Sequence, residues 1–324
     1  MEPFISVVIP THDRRDILEK TLGALGAQRY PGDRYEVLVV SDATDGTEQM
    51  VSRLSREFPG LRLIRSGTRW PDRKRNAGIA QARGDVVAFT DDDCLPQEDW
   101  LEQVAQSFRQ HPGIAGVEGR TVREGKRLFT HASENLQGGI YPTCNMAFRK
   151  DVLEKVGGFD EGYGFFREDT DLAFRVLELG EIRFEPAAVV FHPPRAIPRT
   201  AILRELFLIR GDVRLYKKFP ERYRKTFGPL GGGGLKQAAL LWGSLIVLAA
   251  SLAAGILAGA LVLLLPFGLK YRLGLWGREW TLAEGISFLL LAGLRDLLFP
   301  LFLCFYFLRV SPGKRKDFNP AGQE

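Results

Sequence analysis

The chain has 324 residues, a net charge of +5 and three cysteines. Three scattered cysteines without a C-x-x-C pair exclude a disulfide framework and argue against a structural zinc site. The N-terminal stretch M-E-P-F-I-S-V-V-I-P has no basic start and no long apolar run, so we expect no secretory signal and a cytosolic first domain.

Hydropathy divides the chain into two regions. Charges and turn residues interrupt the apolar runs up to about Lys225, whereas Leu, Ala, Gly and Phe dominate from Leu235 onward. We therefore predict four segments, which are a globular domain, a basic amphipathic segment with a glycine-rich linker, a transmembrane region and a basic cytosolic tail, over 1–195, 196–234, 235–310 and 311–324.

The first third of the chain alternates β-branched apolar runs with polar loops and helical patterns. Such runs are typical of buried parallel strands, and we predict four, at 5–10, 35–40, 61–64 and 85–90. Helices are predicted between them at 14–25, 48–58 and 76–83. Strand, loop and helix in repetition predict a doubly wound α/β fold with a mostly parallel sheet.

Polar loops follow three of these strands, at 11–13, 41–47 and 91–93. In doubly wound sheets, ligands bind beyond the carboxyl ends of the strands. We therefore expect these loops to converge on one crevice.

The regular alternation of predicted strands and helices ends after Pro96. The pattern predicts a helix at 97–110, a strand at 116–123, a loop-rich stretch at 145–149, and a helix near 151–156. A glycine-rich and aromatic loop then leads into a helix that ends near Leu179, and short strands are predicted at 182–185 and 188–191.

Asp91, Asp92 and Asp93 directly follow a predicted buried strand. Carboxylate oxygens suit the hard cations Mg²⁺ and Mn²⁺, which often bind substrate phosphates as well. The alternative is a solvated acidic turn that caps a helix. The two other polar loops beside the triplet favour a cation that neutralises a diphosphate leaving group.

Several stretches together resemble family 2 of the inverting glycosyltransferases, which have the nucleotide-binding GT-A fold. The resemblance covers roughly residues 4–192, and its order and spacing are more specific than any single piece. The matching stretches are S-V-V-I-P-T-H-D-R at 6–14, V-V-S-D-A-T-D-G-T at 39–47, R-N-A-G-I at 75–79, G-D-V-V-A-F-T-D-D-D-C-L-P at 84–96, N-M-A-F-R at 145–149, and G-G-F-D-E with R-E-D-T-D-L up to Leu172.

The resemblance implies five donor-binding residues: Thr11, Asp42, Arg75, Asp91 and Asp92. It puts the first two at the nucleotide base, but the loop is one residue shorter than the family pattern, so either Asp42 or Asp45 reads the base. Arg75 lies near the donor or is a surface cation of a basic run. Asp92 binds the donor or the loop backbone.

The same resemblance implies a metal site and a catalytic base. Asp93 and Asp91 bind Mg²⁺ or Mn²⁺, and His192 is either a further ligand or a structural histidine. Asp169 matches the base that removes the acceptor hydroxyl proton, and Glu168 orients the acceptor.

Two apolar stretches follow. No charge occurs between Lys236 and Lys270, which is long enough for a strongly tilted helix or for a tight hairpin. The second stretch, at 285–308, contains Arg295 and Asp296, which we expect to be paired or to face protein. We expect a multi-pass protein of the inner cell membrane with a cytoplasmic catalytic domain.

We therefore predict transfer of a sugar from a nucleotide-diphosphate donor, with UDP as the expected nucleotide, to a lipid-linked or glycan acceptor at the membrane. Membrane lipids are the other expected partners, because a basic stretch from Arg199 to Lys225 precedes the apolar region, and nucleic acid is not expected. The alternatives are a processive polysaccharide synthase and a nucleotide-binding membrane protein without transfer activity. A Q-x-x-R-W sequence typical of processive synthases is missing between Asp169 and Gly231, which favours addition of a single sugar. A nucleotidyltransferase is disfavoured because no glycine-rich phosphate loop follows Pro10.

Overall fold

A computed structural model of the chain describes residues 2–125, 127–253, 275 and 278–313. The chain divides into two compact units. The first comprises Met1–Glu124 and Ala132–Pro193, and the second comprises Gly125–His131 and Pro194–Gly313. The division after Pro193 falls next to the end of the globular domain predicted at residue 195.

Strands are numbered along the chain. They are β1 (Ile5–Thr11), β2 (Tyr35–Ser41), β3 (Leu61–Arg65), β4 (Val86–Phe89), β5 (Leu95–Pro96), β6 (Gly116–Val122), β7 (Thr130–His131), β8 (Met146–Arg149), β9 (Ile182–Phe191) and β10 (Arg195–Ala196). Eight of them form the sheet of the first unit in the order β3-β2-β1-β4-β8-β6-β9-β5. Strands β1 to β4 pair in parallel, as do β6 and β9, while β8 is antiparallel to β4 and β6. The predicted α/β sheet is thereby confirmed.

Two strand predictions were wrong. The stretch at 145–149 is not a loop, because β8 lies between β4 and β6 and its Met146, Ala147 and Phe148 are buried. Pairing on both sides outweighs the weak local pattern of this stretch. The two short strands predicted at 182–191 are one strand, and an irregularity between Gly119 and Arg120 of its partner β6 accommodates the change of register.

The helices are α1 (Arg15–Gly26), α2 (Thr47–Leu54), α3 (Pro71–Gln81), α4 (Trp100–Gln110), α5 (Lys150–Val156), α6 (Glu168–Val176), α7 (Ala201–Lys218), α8 (Pro220–Phe227), α9 (Gly232–Ala253) and α10 (Leu282–Arg309). Helix α3 begins five residues earlier than predicted, because Pro71 occupies its first turn, where a missing N–H costs nothing. A Cβ at Gly78 would overlap the side chain of Val8, so this glycine lets α3 pack closely on β1.

Alternation along the strands builds the core on both faces of the sheet. Val7 and Ile9 of β1 face one hydrophobic cluster, and Val8 faces the other. Full burial of each such side chain contributes about 1.5–3 kcal/mol. The sheet is thus anchored on both faces, and the loops at its carboxyl edge extend from a rigid frame.

In the second unit, β7 pairs antiparallel with β10, and α10 packs against α7 and α9. Helix α10 is the one helix among the described residues that is long and apolar enough to cross a membrane. It matches the apolar stretch predicted at 285–308. The other predicted stretch, 236–270, begins in α9, and its part beyond Ala253 lies outside the described residues. The tail predicted at 311–324 is described only up to Gly313.

The charges inside α10 are paired, as expected. Arg295 donates to Asp296 at 2.9 Å and to Glu205 of α7 at 2.6 Å. Helix α7 lies within the segment predicted at 196–234, but its apolar side, which includes Leu206 and Val213, packs with Leu303 of α10. This side of α7 is therefore covered by protein.

Candidate active site

The three polar loops meet at the carboxyl edge of the sheet, as predicted. The Thr11 hydroxyl donates to Asp92 at 2.8 Å, which joins the end of β1 to the loop after β4. The Lys74 ammonium donates to the Thr11 carbonyl and to Asp42, which joins β1 to the loop after β2. Parallel neighbours explain the convergence, because their carboxyl ends lie along one edge.

Asp42 and Asp45 have different surroundings. Asp42 is contacted by Lys74 and, at 3.0 Å, by His12. Burial opposes its ionisation, but the hydrogen bonds and charges of Lys74 and then His12 outweigh burial and lower the pKa of Asp42. Asp45 instead accepts from the Thr47 hydroxyl at 2.5 Å and from the backbone N–H groups of Thr47 and Arg15. Asp45 therefore fixes the starts of two helices, whereas Asp42 is held by the side chains of Lys74 and His12.

The three consecutive aspartates differ in the burial of their side chains. Asp92 is almost fully buried and accepts from Thr11 and from Arg14. Burial raises the pKa of Asp92 to about 7, against the opposing effects of Arg14 and Thr11. Its carboxylate therefore lies in the protein interior, whereas Asp91 and Asp93 are partly exposed and lie near Cys94 and His192.

Four side chains form a possible cation centre: Asp91, Asp93, Cys94 and His192, whose ligand atoms all lie within 4.8 Å of one another. Nε2 of His192 lies 3.7 Å from Asp93, and Nδ1 lies 3.3 Å from the Pro193 carbonyl. A proton on Nδ1 would be held by that carbonyl and would leave Nε2 to bind metal, which is the usual arrangement of ligating histidines. The two carboxylates suit Mg²⁺ or Mn²⁺, and the imidazole offers one nitrogen ligand beside them.

Arg75 is buried and connects this centre to Glu168, the residue before the predicted base. Its Nη2 donates to Asp91 at 2.9 Å, and its Nη1 donates to Glu168 at 3.3 Å. Because both nitrogens belong to one planar guanidinium, Asp91 and Glu168 are held on either side of a single group. The interpretation of Arg75 as a surface cation is wrong, since its side chain is 5% exposed.

Glu168 and Asp169 begin α6 after an unusual turn. Phe166 and Arg167 both have φ of +72°, a conformation that is rare and costly for residues other than glycine. Asp169 accepts from the backbone N–H of Thr170 at 2.6 Å and is half-buried. Burial raises the pKa of Asp169, against the effects of Thr170, Arg75 and Arg167. The turn thus presents a weakly acidic carboxyl group at the cleft, which suits a proton acceptor.

The pair should control the pH dependence of activity. Burial, then repulsion from Asp169, raises the pKa of Glu168 to about 7, although Arg75 opposes both. A folded pKa above the ordinary 4.5 means that this carboxyl stabilises the fold less as pH rises from 4.5 to about 7. Proton abstraction needs the ionised base, so kcat/KM should rise with pH above the range in which an ordinary aspartate ionises. Glu168→Gln should move this rise to lower pH, because a neutral amide does not repel the Asp169 carboxylate.

The measurement is kcat/KM against pH for both forms. Glu178→Gln is the matched control, since Glu178 is exposed just beyond the same helix. If kcat/KM of Glu168→Gln rises at the same pH as that of the wild type, or at a higher pH, the two carboxyl groups are not coupled.

Sequence reasoning missed Lys74 and Arg14, two cations that hold the acidic loops. Lys74 is 1% exposed, although the run Arg73-Lys74-Arg75 looks like a solvated surface. Arg14 was assigned only to the start of a helix, yet it donates to Asp92 and, at 2.7 Å, to Asp93. The available signal was charge balance, because acidic loops packed at one edge require nearby cations.

Known proteins resemble this chain in sequence. The model of the family described as "Glycosyl transferase family 2" matches residues 6–168. Glycosyltransferase AglE of Haloferax volcanii is 30% identical over 241 residues, which are 69% of this chain and 78% of AglE. The chain spans about half the length of two further relatives.

Solved structures share the fold. The mannosyltransferase PcManGT of Pyrobaculum calidifontis, in complex with GDP-Man and Mn²⁺, superposes with a TM-score of 0.64 at 24% identity, covering 92% of this chain and 88% of that one. Staphylococcus aureus TarS 1–349 in complex with UDP gives a TM-score of 0.51 at 16% identity, covering 93% and 92%.

Proposed function

Since the chain belongs to glycosyl transferase family 2, and is thus an enzyme that uses a nucleotide-sugar donor, we propose that it transfers one sugar with inversion from a UDP-sugar to a membrane-associated acceptor. The observation that carries the proposal is the buried Arg75 guanidinium, which contacts Asp91 of the cation centre and Glu168 beside Asp169. The cation centre and the residue before the proposed base are thereby joined through one side chain.

Asp42 would bind the nucleotide base. Lys74 and His12 keep its carboxylate ionised, and an ionised carboxylate accepts hydrogen bonds only. It would therefore accept from the ring N–H of uracil.

The donor set of Asp91, Asp93 and His192 fits a divalent cation, and a bound Mg²⁺ or Mn²⁺ would supply positive charge that stabilises the departing diphosphate. Asp92, with Arg14 and Thr11, would keep the loop rigid without touching the donor. Thr11 likewise acts through its contact with Asp92.

In the chemical step, Asp169 would take the proton of the acceptor hydroxyl. The hydroxyl oxygen then attacks the anomeric carbon from the side opposite the diphosphate, whose bond to the sugar breaks with inversion. Glu168 would hold Arg75 and orient the acceptor. Burial around Asp169 favours this role because a less acidic carboxyl binds the transferred proton more readily.

A lipid-linked acceptor is proposed because α10 is long and apolar enough to cross a bilayer, and because α7 exposes the basic side chains of Arg204 and Arg210. On this basis the protein is anchored in the inner membrane with its catalytic unit in the cytoplasm. The missing Q-x-x-R-W sequence supports addition of one sugar per acceptor.

The test is a donor screen with the purified full chain. Release of nucleoside diphosphate is measured across UDP-, GDP- and dTDP-sugars with Mn²⁺ or Mg²⁺, with and without an extract of membrane lipids as acceptor. UDP release that the extract stimulates is expected, and Asp93→Asn is the inactive control. GDP release would change the nucleotide, long polymeric products would favour a processive synthase, and no release by folded protein would leave a nucleotide-binding protein.

A further inference from the structure

The cation centre contains a thiol. Sγ of Cys94 lies within 4.8 Å of the ligand atoms of Asp91, Asp93 and His192, and the Cys94 side chain is fully buried. Oxygen-rich centres for Mg²⁺ or Mn²⁺ do not require sulfur, because these cations prefer oxygen ligands. The proposed transfer therefore gives the Cys94 thiol no role.

Two separate parts of the chain bring the thiol to the centre. The backbone N–H of Cys94 donates to the Asp91 carbonyl at 3.2 Å, which folds the aspartate loop back on itself. In the antiparallel pairing of β5 with β9, Leu95 lies opposite Phe191, so Cys94 and His192 are the next residues across from each other. The position of Sγ thus follows from a turn and a strand register.

The sulfur of Cys94 and the oxygens of Asp91 and Asp93 prefer different cations. A neutral thiol is a poor ligand for hard cations, so Mg²⁺ or Mn²⁺ would be bound by the carboxylates and the imidazole. Zn²⁺ and Co²⁺ bind thiolate strongly and displace the proton.

We propose that Cys94 makes this centre a four-ligand Asp-Asp-Cys-His site for thiophilic cations, which bind there in competition with the catalytic cation. The proposal rests on the cation centre of the proposed function. On binding, the sulfur–metal bond replaces a metal–water bond, and the thiol proton is released to solvent. Four protein ligands complete the tetrahedral shell of Zn²⁺ and leave no open position for the diphosphate, so zinc inhibits transfer.

Cobalt is the direct probe. The purified full chain is titrated with Co²⁺, and the near-ultraviolet spectrum is recorded for thiolate-to-cobalt charge transfer. Occupancy is followed separately through the displacement of Mn²⁺, by its electron paramagnetic resonance. We expect a charge-transfer band in the wild type and in Cys304→Ser, and none in Cys94→Ser or Cys94→Ala. Cys304 is a suitable control because it is exposed on α10.

Zinc competition gives a second readout. We expect the ratio of Zn²⁺ to Mn²⁺ affinity to fall by about 10–100-fold in Cys94→Ser, a typical range for perturbed metal sites, and to be unchanged in Cys304→Ser. Most protein sites bind Zn²⁺ more tightly than Mn²⁺. The ratio of the two affinities is therefore compared between the variants, because this general preference is common to all of them.

The outcomes separate the two proposals. Cobalt bound without a charge-transfer band, or a band that persists in Cys94→Ser, would overturn the role of Cys94 and leave the cation centre standing. The wild-type spectrum alone decides this if the variants fold poorly. A chain that binds neither Co²⁺ nor Mn²⁺ would overturn the cation centre and the Cys94 proposal together.

Discussion

Asp169→Asn should reduce sugar transfer by about 10²–10⁴-fold and leave donor binding unchanged. Asparagine has the size of aspartate, and its carbonyl oxygen can still accept from the Thr170 N–H, so the start of α6 is retained. An amide does not accept the acceptor proton at neutral pH. The measurements are transfer rate and donor Kd for wild type and variant.

The control for this experiment is Asp16→Asn, a change of the same chemistry on the exposed surface of α1. It should leave both quantities unchanged. If Asp169→Asn transfers sugar within about threefold of wild type while Asp16→Asn behaves as expected, Asp169 is not the base, and Glu168 becomes the residue to replace.

Arg75→Met should lower the free energy of unfolding by about 3–5 kcal/mol. The substitution leaves the carboxylates of Asp91 and Glu168 without the cation between them, and Glu168 is buried. Methionine fills a similar volume, so the loss reports on charge more than on a cavity. Chemical denaturation of the purified full chain measures the change.

Arg73→Met is the matched control, because Arg73 is half exposed and pairs only weakly with Glu161 at 3.4 Å. Exposed pairs contribute about 0–1 kcal/mol, so this variant should resemble wild type. Adding Glu168→Gln to Arg75→Met should recover part of the stability, since one of the two uncompensated charges is removed. Equal losses for Arg73→Met and Arg75→Met would contradict the bridging role of Arg75.

Local pattern was sufficient for the first half of the sheet. The runs around Val7, Val37 and Val87 are short, β-branched and bounded by turn residues, and buried parallel strands have this composition. Strand β8 could not be found in this way. Met146–Arg149 has no strong preference, and it becomes a strand only because β4 and β6 pair with it on both sides.

The same distinction applies to the charged residues. Three consecutive acidic residues indicate a functional site, but the sequence does not show which of the carboxylates is buried. Thr11 decides this together with the burial of Asp92, while Asp91 and Asp93 lie within reach of Cys94 and His192. Lys74 and Arg75 are adjacent in the chain but have different partners. Lys74 binds Asp42, whereas Arg75 binds Asp91 and Glu168.

By itself, the sequence determined the α/β fold, the family and the edge of the sheet that carries the site, because these depend on local periodicity and on the order of short motifs. Only the tertiary structure decided the partners of each charge and the presence of a thiol at the cation centre. Those features depend on contacts between distant segments, such as the register that sets Cys94 opposite His192, almost 100 residues along the chain. Strand registers and buried ion pairs are settled by packing, and packing is a property of the folded chain as a whole.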